Sequence, residues 1–226
     1  MKEIPKITAD ELFRAASVVF DLDGTLADTA YDVALAYCRA LTKFGFTPPS
    51  PETLRVGPPA EETVRSMIGQ AADPVLVADI VSEFRRGYDA SNYPGTKLYP
   101  GAAELLKQLK NAGIRLSIAT YKGTVSTQRL LEIKGIAEMF DEILSSNLNG
   151  ERWTKQRMLS HIMEATQTKA AETLFFGDSV GDIQAGRDHG IATVAVLYGY
   201  ELPENLIAAG ADFVCHSFAE LLTSDA

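Results

Sequence analysis

The stretch Ser17 to Ala30, SVVFDLDGTLADTA, constrains this chain more than any other. Val18, Val19 and Phe20 form a short apolar run, rich in β-branching, that stops at two carboxylates, the pattern of a buried strand running into a loop. Asp21 and Asp23 flank Leu22, Gly24 lets the backbone turn, and Thr25 sets a hydroxyl beside the acids. Carboxylates this close repel each other. A divalent cation removes the repulsion, and Mg²⁺ takes a small number of carboxylates together with phosphate and water. A solvated acidic turn or a Ca²⁺ loop uses the same letters. The apolar strand in front of them and three later stretches decide between these readings.

Downstream of this loop the hydrophobic period changes. Val33, Ala36, Tyr37, Ala40, Leu41 and Phe44 recur at helical spacing, and Gly45 closes the run. A Pro-rich link follows from Thr47 to Pro51, then helical stretches near Ala60–Ile68 and Asp73–Tyr88. No strand is expected between Asp28 and Asn92, so this part reads as a helical insert. Two Pro-Gly pairs between Tyr93 and Gly101 mark the return link.

From Ala102 onward helices and strands alternate. Strands are expected at Ile114–Ala119, Phe140–Leu144, Thr173–Phe176, Ile191–Leu197 and Phe213–Cys215. Helices are expected at Ala102–Asn111, Thr124–Lys134, Lys155–Thr166, Asp182–His189, Leu202–Ala209 and Phe218–Leu222. Such alternation requires right-handed crossovers and a parallel sheet covered on both faces. The expected fold is α/β: a Rossmann-like three-layer core made of 1–27 and 94–226, with an all-helical cap domain inserted at 28–93. Before the first strand, Thr8 and Glu11 are spaced as a capping box and predict a short packing helix.

Composition limits the partners. With 226 residues, 46% hydrophobic and 23% charged, the chain can bury a sizeable core and an inserted domain. A net charge of −9 argues against a nucleic-acid polymer or an acidic membrane as partner. An anionic small molecule must then be drawn in by local features. Cys38 and Cys215 are far apart and belong to no CxxC or Cys/His cluster, which fits a reducing cytoplasm. The first residues, MKEIPKITADELF, contain no long apolar segment, and no run reaches the length of a membrane span. The expected location is cytoplasmic.

Three more sites fall where strands end. Thr120-Tyr121-Lys122-Gly123 offers a hydroxyl and fresh backbone amides to a phosphate, although such a Thr usually only caps a helix. Asp178 and Asp182, four apart after Gly177, can share one cation, or Asp182 can cap the next helix. Lys155 opens a helix after Trp153 and Thr154, where a lone Lys is most often solvated.

Taken together and in order, Asp21/Asp23, Thr120, Lys155 and Asp178/Asp182 resemble the four motifs of the haloacid dehalogenase superfamily. The insert directly after the first motif is similar to that of members with a helical cap. These include phosphoglycolate phosphatases, nucleotidases, pyrophosphatases, β-phosphoglucomutase and phosphonoacetaldehyde hydrolase. Gly177–Gly190 and Tyr198-Gly-Tyr200 look most like the phosphoglycolate-phosphatase branch, whereas Ser146-Asn-Leu-Asn-Gly150 looks more like nucleotidases. The resemblance implies a phosphatase for a small phosphorylated metabolite. Asp21 would attack phosphorus, and Asp23 would protonate the leaving oxygen and later deprotonate water. Mg²⁺ would be held by Asp21, the backbone carbonyl of Asp23 and Asp178, with Asp182 orienting a bound water or Lys155. Thr120, Tyr121 and Lys155 would meet the phosphoryl group. Two positions depart from the family pattern: Tyr121 stands where Asn is frequent, and Gln156 where Pro is frequent after the lysine.

The alternatives are a 5′-nucleotidase or pyrophosphatase, then a phosphomutase or a non-catalytic phosphate-binding protein on the same fold. A phosphonoacetaldehyde hydrolase would need a cap lysine, and the insert offers Lys43 alone, near a helix end. Arg55, Gly57 and Pro58, with Arg65, are the candidates for reading the rest of the substrate. The expectation is that the cap closes over it.

Overall fold

The computed structural model describes residues 4–54, 57, 60–148 and 151–223. The chain divides into two compact units, Met1–Asp28 with Leu98–Ala226, and Thr29–Lys97.

The first unit is a six-stranded parallel sheet. Its strands are β1 (Ser17–Phe20), β2 (Arg115–Ala119), β3 (Glu142–Leu144), β4 (Thr173–Gly177), β5 (Ala192–Val196) and β6 (Phe213–Cys215). They lie in the order β6-β5-β4-β1-β2-β3. β1 is central, pairing Phe20 with Ile118 of β2 on one side and with Phe176 of β4 on the other. A central parallel strand has both faces covered, so it can be apolar throughout, and all four β1 residues are buried. The order reverses between β1 and β4, which opens a crevice at their carboxyl ends.

Helices cover both faces. Those of the sheet unit are α1 (Ala9–Leu12), α5 (Ala102–Asn111), α6 (Thr124–Ile133), α7 (Lys155–Thr166), α8 (Val180–Asp188) and α9 (Pro203–Ala208). Met158, Leu159 and Ile162 of α7 and Ala185 of α8 pack on Val19 and Phe175. Phe20 points the other way, with its ring 5.2 Å from Phe176 and 6.0 Å from Phe218. Truncating a buried Phe of this kind costs about 3–5 kcal/mol. The capping box of α1 is formed, with Thr8 and Glu11 each bonding the other's backbone.

Some details differ from the sequence expectation, among them a two-stranded pairing of Ala27–Asp28 with Lys97–Leu98. Between β3 and α7 the backbone forms a short antiparallel ribbon, Asn147–Leu148 with Glu151–Arg152. The segment expected as a last helix is a single 3₁₀ turn, Phe218–Leu221, capped by Ser217.

The second unit contains α2 (Ala30–Lys43), α3 (Ala60–Ile68) and α4 (Pro74–Asp89). α2 and α4 meet through Tyr37 and Phe84, stacked with centroids 3.8 Å apart. The unit runs past the expected boundary at 93 because Asp32 grips the return link. Its buried carboxylate accepts from Gly95 N, Thr96 N and Thr96 Oγ1 at 2.7–3.1 Å. Arg65 donates to the carbonyls of Gln70 and Ala72, at 3.1 and 2.9 Å, and so ties off the end of α3. Gly57 is exposed, while Arg55 and Pro58 lie outside the described residues.

Candidate active site

Every described group of the site is carried by the sheet unit, at the carboxyl ends of β1, β2 and β4 and the start of α7. Asp21 N donates to Phe176 O at 2.9 Å, extending the β1–β4 ladder by one residue and fixing where the first carboxylate emerges. The chain then wraps around buried Leu22, whose carbonyl accepts from Leu26 N and Ala27 N, both at 3.0 Å. Gly24 makes that turn at φ +81°, and a Cβ there would lie 2.1 Å from Asp178 Oδ2. Glycine is required on both counts.

Asp178 is held from two sides. Thr25 Oγ1 donates to Oδ1 at 3.2 Å and Tyr200 N to Oδ2 at 2.8 Å. Tyr198 OH donates to Thr25 O at 3.1 Å, so the segment Tyr198–Tyr200 braces the first motif as well as Asp178. Asp182 belongs to the capping box of α8, its Oδ2 accepting from Ser179 N at 3.1 Å and Ser179 Oγ at 2.5 Å. Its Oδ1 accepts from Lys155 Nζ.

Lys155 opens α7, whose N-cap is Thr154, with Oγ1 accepting from Arg157 N at 3.3 Å. The buried ammonium reaches Asp21 Oδ1 at 3.0 Å and lies between the rings of Tyr121 and Phe175, 5.2 and 5.9 Å from their centroids. Tyr121 is more than half exposed, and its hydroxyl accepts from Lys155 N at 3.3 Å. The Tyr that replaces the frequent Asn therefore covers the lysine and caps its helix. Thr120 is buried, with its hydroxyl oxygen accepting from Lys122 N at 3.3 Å, which leaves the hydroxyl proton for another acceptor.

Burial raises the Asp21 carboxyl to about 6, with Lys155 pulling it down and Asp182 and Asp23 pushing it up. Burial, then Asp21 and Asp182, raises Asp178 to about 8. For Lys155 burial alone would lower the value, but the carboxylates of Asp182 and Asp21 outweigh it and hold the ammonium well above the ordinary range.

The donors fit a divalent cation. Asp21, Asp178 and Asp182 are buried with carboxylate oxygens all within 4.8 Å of one another. Asp21 Oδ1 is buried without a hydrogen bond, although it faces Lys155. With all four carboxylates ionised, Asp21, Asp23, Asp178 and Asp182 stand against two ammonium groups, Lys122 and Lys155, leaving two negative charges for a cation to meet. An all-oxygen set is what Mg²⁺ takes. Asp182 has its oxygens engaged by Lys155 and Ser179, and Asp178 has its own engaged by Thr25 and Tyr200.

Lys122 and Gly199 carry parts in the site that their motifs alone did not assign. Lys122 Nζ donates to Asp23 Oδ1 at 2.9 Å and Oδ2 at 3.0 Å. Gly199 presses on Asp178, where a Cβ would come within 2.2 Å of Asp178 Cβ. No local sequence signal marks Lys122, which lies in the bend just past the end of β2. The histidines stand apart. His161 packs edge-on against Trp153, and His189 bonds Ala185 O and Ser160 Oγ.

Residues 18–196 match the sequence profile described as haloacid dehalogenase-like hydrolase, a span holding all four motifs. The chain belongs to the haloacid dehalogenase-like hydrolase family. It is 33% identical over 215 residues to a phosphoglycolate phosphatase of Vibrio parahaemolyticus, covering 91% of this chain and 93% of that one. It is 32% identical over 203 residues to a protein of Mycobacterium tuberculosis named Tyrosine-protein kinase PtkA, covering 88% of this chain and 68% of that one. A predicted phosphoglycolate phosphatase from Haemophilus somnus superposes with a TM-score of 0.83 at 26% identity, over 92% of this chain and 96% of its own. The α/β sheet of this hydrolase and its helical insert are thus those of the family.

Proposed function

We propose that this hydrolase is a Mg²⁺-dependent phosphatase of small phosphate monoesters, working through an aspartyl-phosphate on Asp21. The observation that carries the reading is the pairing of two unlike carboxylates on one loop. Asp21 is buried against Lys155, whereas Asp23 is partly open and gripped by Lys122. The first suits a nucleophile and the second a proton carrier.

Asp21 forms a bond to phosphorus while the bond from phosphorus to the leaving oxygen breaks. The electron pair stays on that oxygen, which takes a proton from Asp23. Asp23, now a carboxylate, removes a proton from water as the water attacks phosphorus, releasing Asp21 and inorganic phosphate. Lys155 and the Thr120 hydroxyl hold the phosphoryl oxygens through both steps. Bound by Asp21, Asp178 and the Asp23 carbonyl, Mg²⁺ would offset the charge of the phosphoryl group. Asp182 keeps Lys155 in place.

Phosphoglycolate is the favoured substrate class, supported by the relatives of that name and by their near full-length match. The test is phosphate release from phosphoglycolate, nucleoside monophosphates, pyrophosphate and sugar phosphates, with Mg²⁺ or EDTA. Mg²⁺-dependent release that prefers phosphoglycolate supports the reading. Preference for a nucleotide or pyrophosphate would move the substrate class, and release undiminished by EDTA would remove the metal.

A second reading rests on the similarity to a protein named as a tyrosine kinase. The same aspartate chemistry with a tyrosine hydroxyl as acceptor would transfer phosphate rather than release it. Labelled ATP separates the two: phosphotyrosine on protein supports the kinase reading, and free phosphate alone opposes it.

A further inference from the structure

We propose that Lys122 is a positioning residue for Asp23, holding that carboxylate in the orientation its two proton transfers need. The inference rests on the phosphatase reading above and adds to it a residue that none of the four motifs contains.

Among the four carboxylates of the site, Asp23 is the most open, with 26% of its side chain exposed, and a leaving group can reach it. An open carboxylate turns freely about its last bond, because that torsion is broad. Lys122 removes this freedom by donating to both oxygens, at 2.9 and 3.0 Å. The lysine side chain itself is only 4% exposed.

Its backbone is anchored as well. Lys122 N donates to Thr120 Oγ1 at 3.3 Å, and Lys122 O accepts from Ser146 N at 3.1 Å and Ser146 Oγ at 3.3 Å. The ammonium is thus delivered from a pinned strand exit. The same short segment presents Thr120 to the phosphoryl group and Lys122 to the proton carrier, so the two are placed together. Proton transfer requires close alignment of the carboxyl with the leaving oxygen, and a misplaced group loses most of its effect.

The experiment compares kcat/KM of the native enzyme, Lys122→Met and Asp23→Asn on p-nitrophenyl phosphate, phenyl phosphate and phosphoglycolate, with saturating Mg²⁺. This parameter reports the steps up to departure of the leaving group. p-Nitrophenolate departs without a proton, whereas the phenolate and still more the alkoxide need one. For Lys122→Met the expected loss is about 10- to 100-fold on phosphoglycolate and under about threefold on p-nitrophenyl phosphate, with phenyl phosphate between. The ratio between substrates is independent of how much of a variant is folded. Lys122→Gln, which keeps a donor, should show a smaller split in the same direction. Equal losses on all three substrates, or no loss, would overturn the role of Lys122. A flat Asp23→Asn profile would instead overturn the proton-transfer reading itself, and the positioning role with it.

Discussion

Gly199 backs onto Asp178 so closely that no methyl group fits between them: a Cβ would lie 2.2 Å from Asp178 Cβ and 2.7 Å from Oδ2. The contact is to a side chain already fixed by Tyr200 N and Thr25 Oγ1, so Asp178 has nowhere to retreat. Gly199→Ala should therefore shift Asp178 and weaken metal binding by about 10- to 100-fold, as changes behind a ligand do. Titrating activity with Mg²⁺ checks this: the half-saturating concentration rises, while the maximal rate falls less. An unchanged titration would show that the loop yields.

Stability without metal should depend on pH in a defined direction. In the fold Asp21 titrates at about 6 and Asp178 at about 8, both above the ordinary 3.8. The folded state therefore holds these protons more tightly than the unfolded chain. Their contribution to stability is full below the ordinary value and is lost as pH rises through 6 and then 8, on the order of a few kcal/mol. In EDTA the melting temperature should fall between about pH 5 and about pH 9, and Mg²⁺ should raise it most at the alkaline end. A metal-independent profile would contradict the cation site.

Lys155 separates the buried carboxylates of Asp21 and Asp182. Lys155→Met leaves both without their cation, a change that costs about 3–5 kcal/mol in buried pairs. The rate should drop by at least about 10²–10³-fold, and Mg²⁺ should restore melting temperature but not turnover. Thermal melts with and without Mg²⁺, alongside phosphate release, separate the two effects. A variant that melts like the native chain in EDTA would show that the carboxylates do not need the lysine.

In the helical unit, Asp32 near the start of α2 collects hydrogen bonds from Gly95 and Thr96, which follow α4. Asp32→Ala should cost about 2–3 kcal/mol and lower the hydrogen-exchange protection of the Gly95 and Thr96 amides. If those amides stay protected, the clasp is not what closes the unit.

The sheet could be read in the sequence because each strand is a short apolar run bounded by Gly or Asp, and each intervening helix has its own period. Asp21, Thr120 and Asp178 were readable for the same reason: each follows such a run. Lys122 was not, since its partner Asp23 lies 99 residues earlier and no local pattern links them. Gly199 was legible only as part of the Tyr198-Gly-Tyr200 resemblance, and the approach of Asp178 shows why it has no side chain. Arg65 has a local role that its place on a helix does not announce. A cationic group on a helix suggested substrate contact; in the structure its Nη1 donates to the Gln70 and Ala72 carbonyls and closes a loop. The ribbon after β3 has strands of two residues, too short for any period to register.

In the proposed reaction the phosphoryl group passes through Asp21. Enzyme mixed with substrate and Mg²⁺ should be quenched in acid within a turnover, digested and analysed by mass spectrometry. A phosphate should appear on the peptide containing Asp21 and be absent from Asp21→Asn, which should also cease to turn over. Full turnover by Asp21→Asn, or phosphate trapped on another residue in the native enzyme, would contradict it.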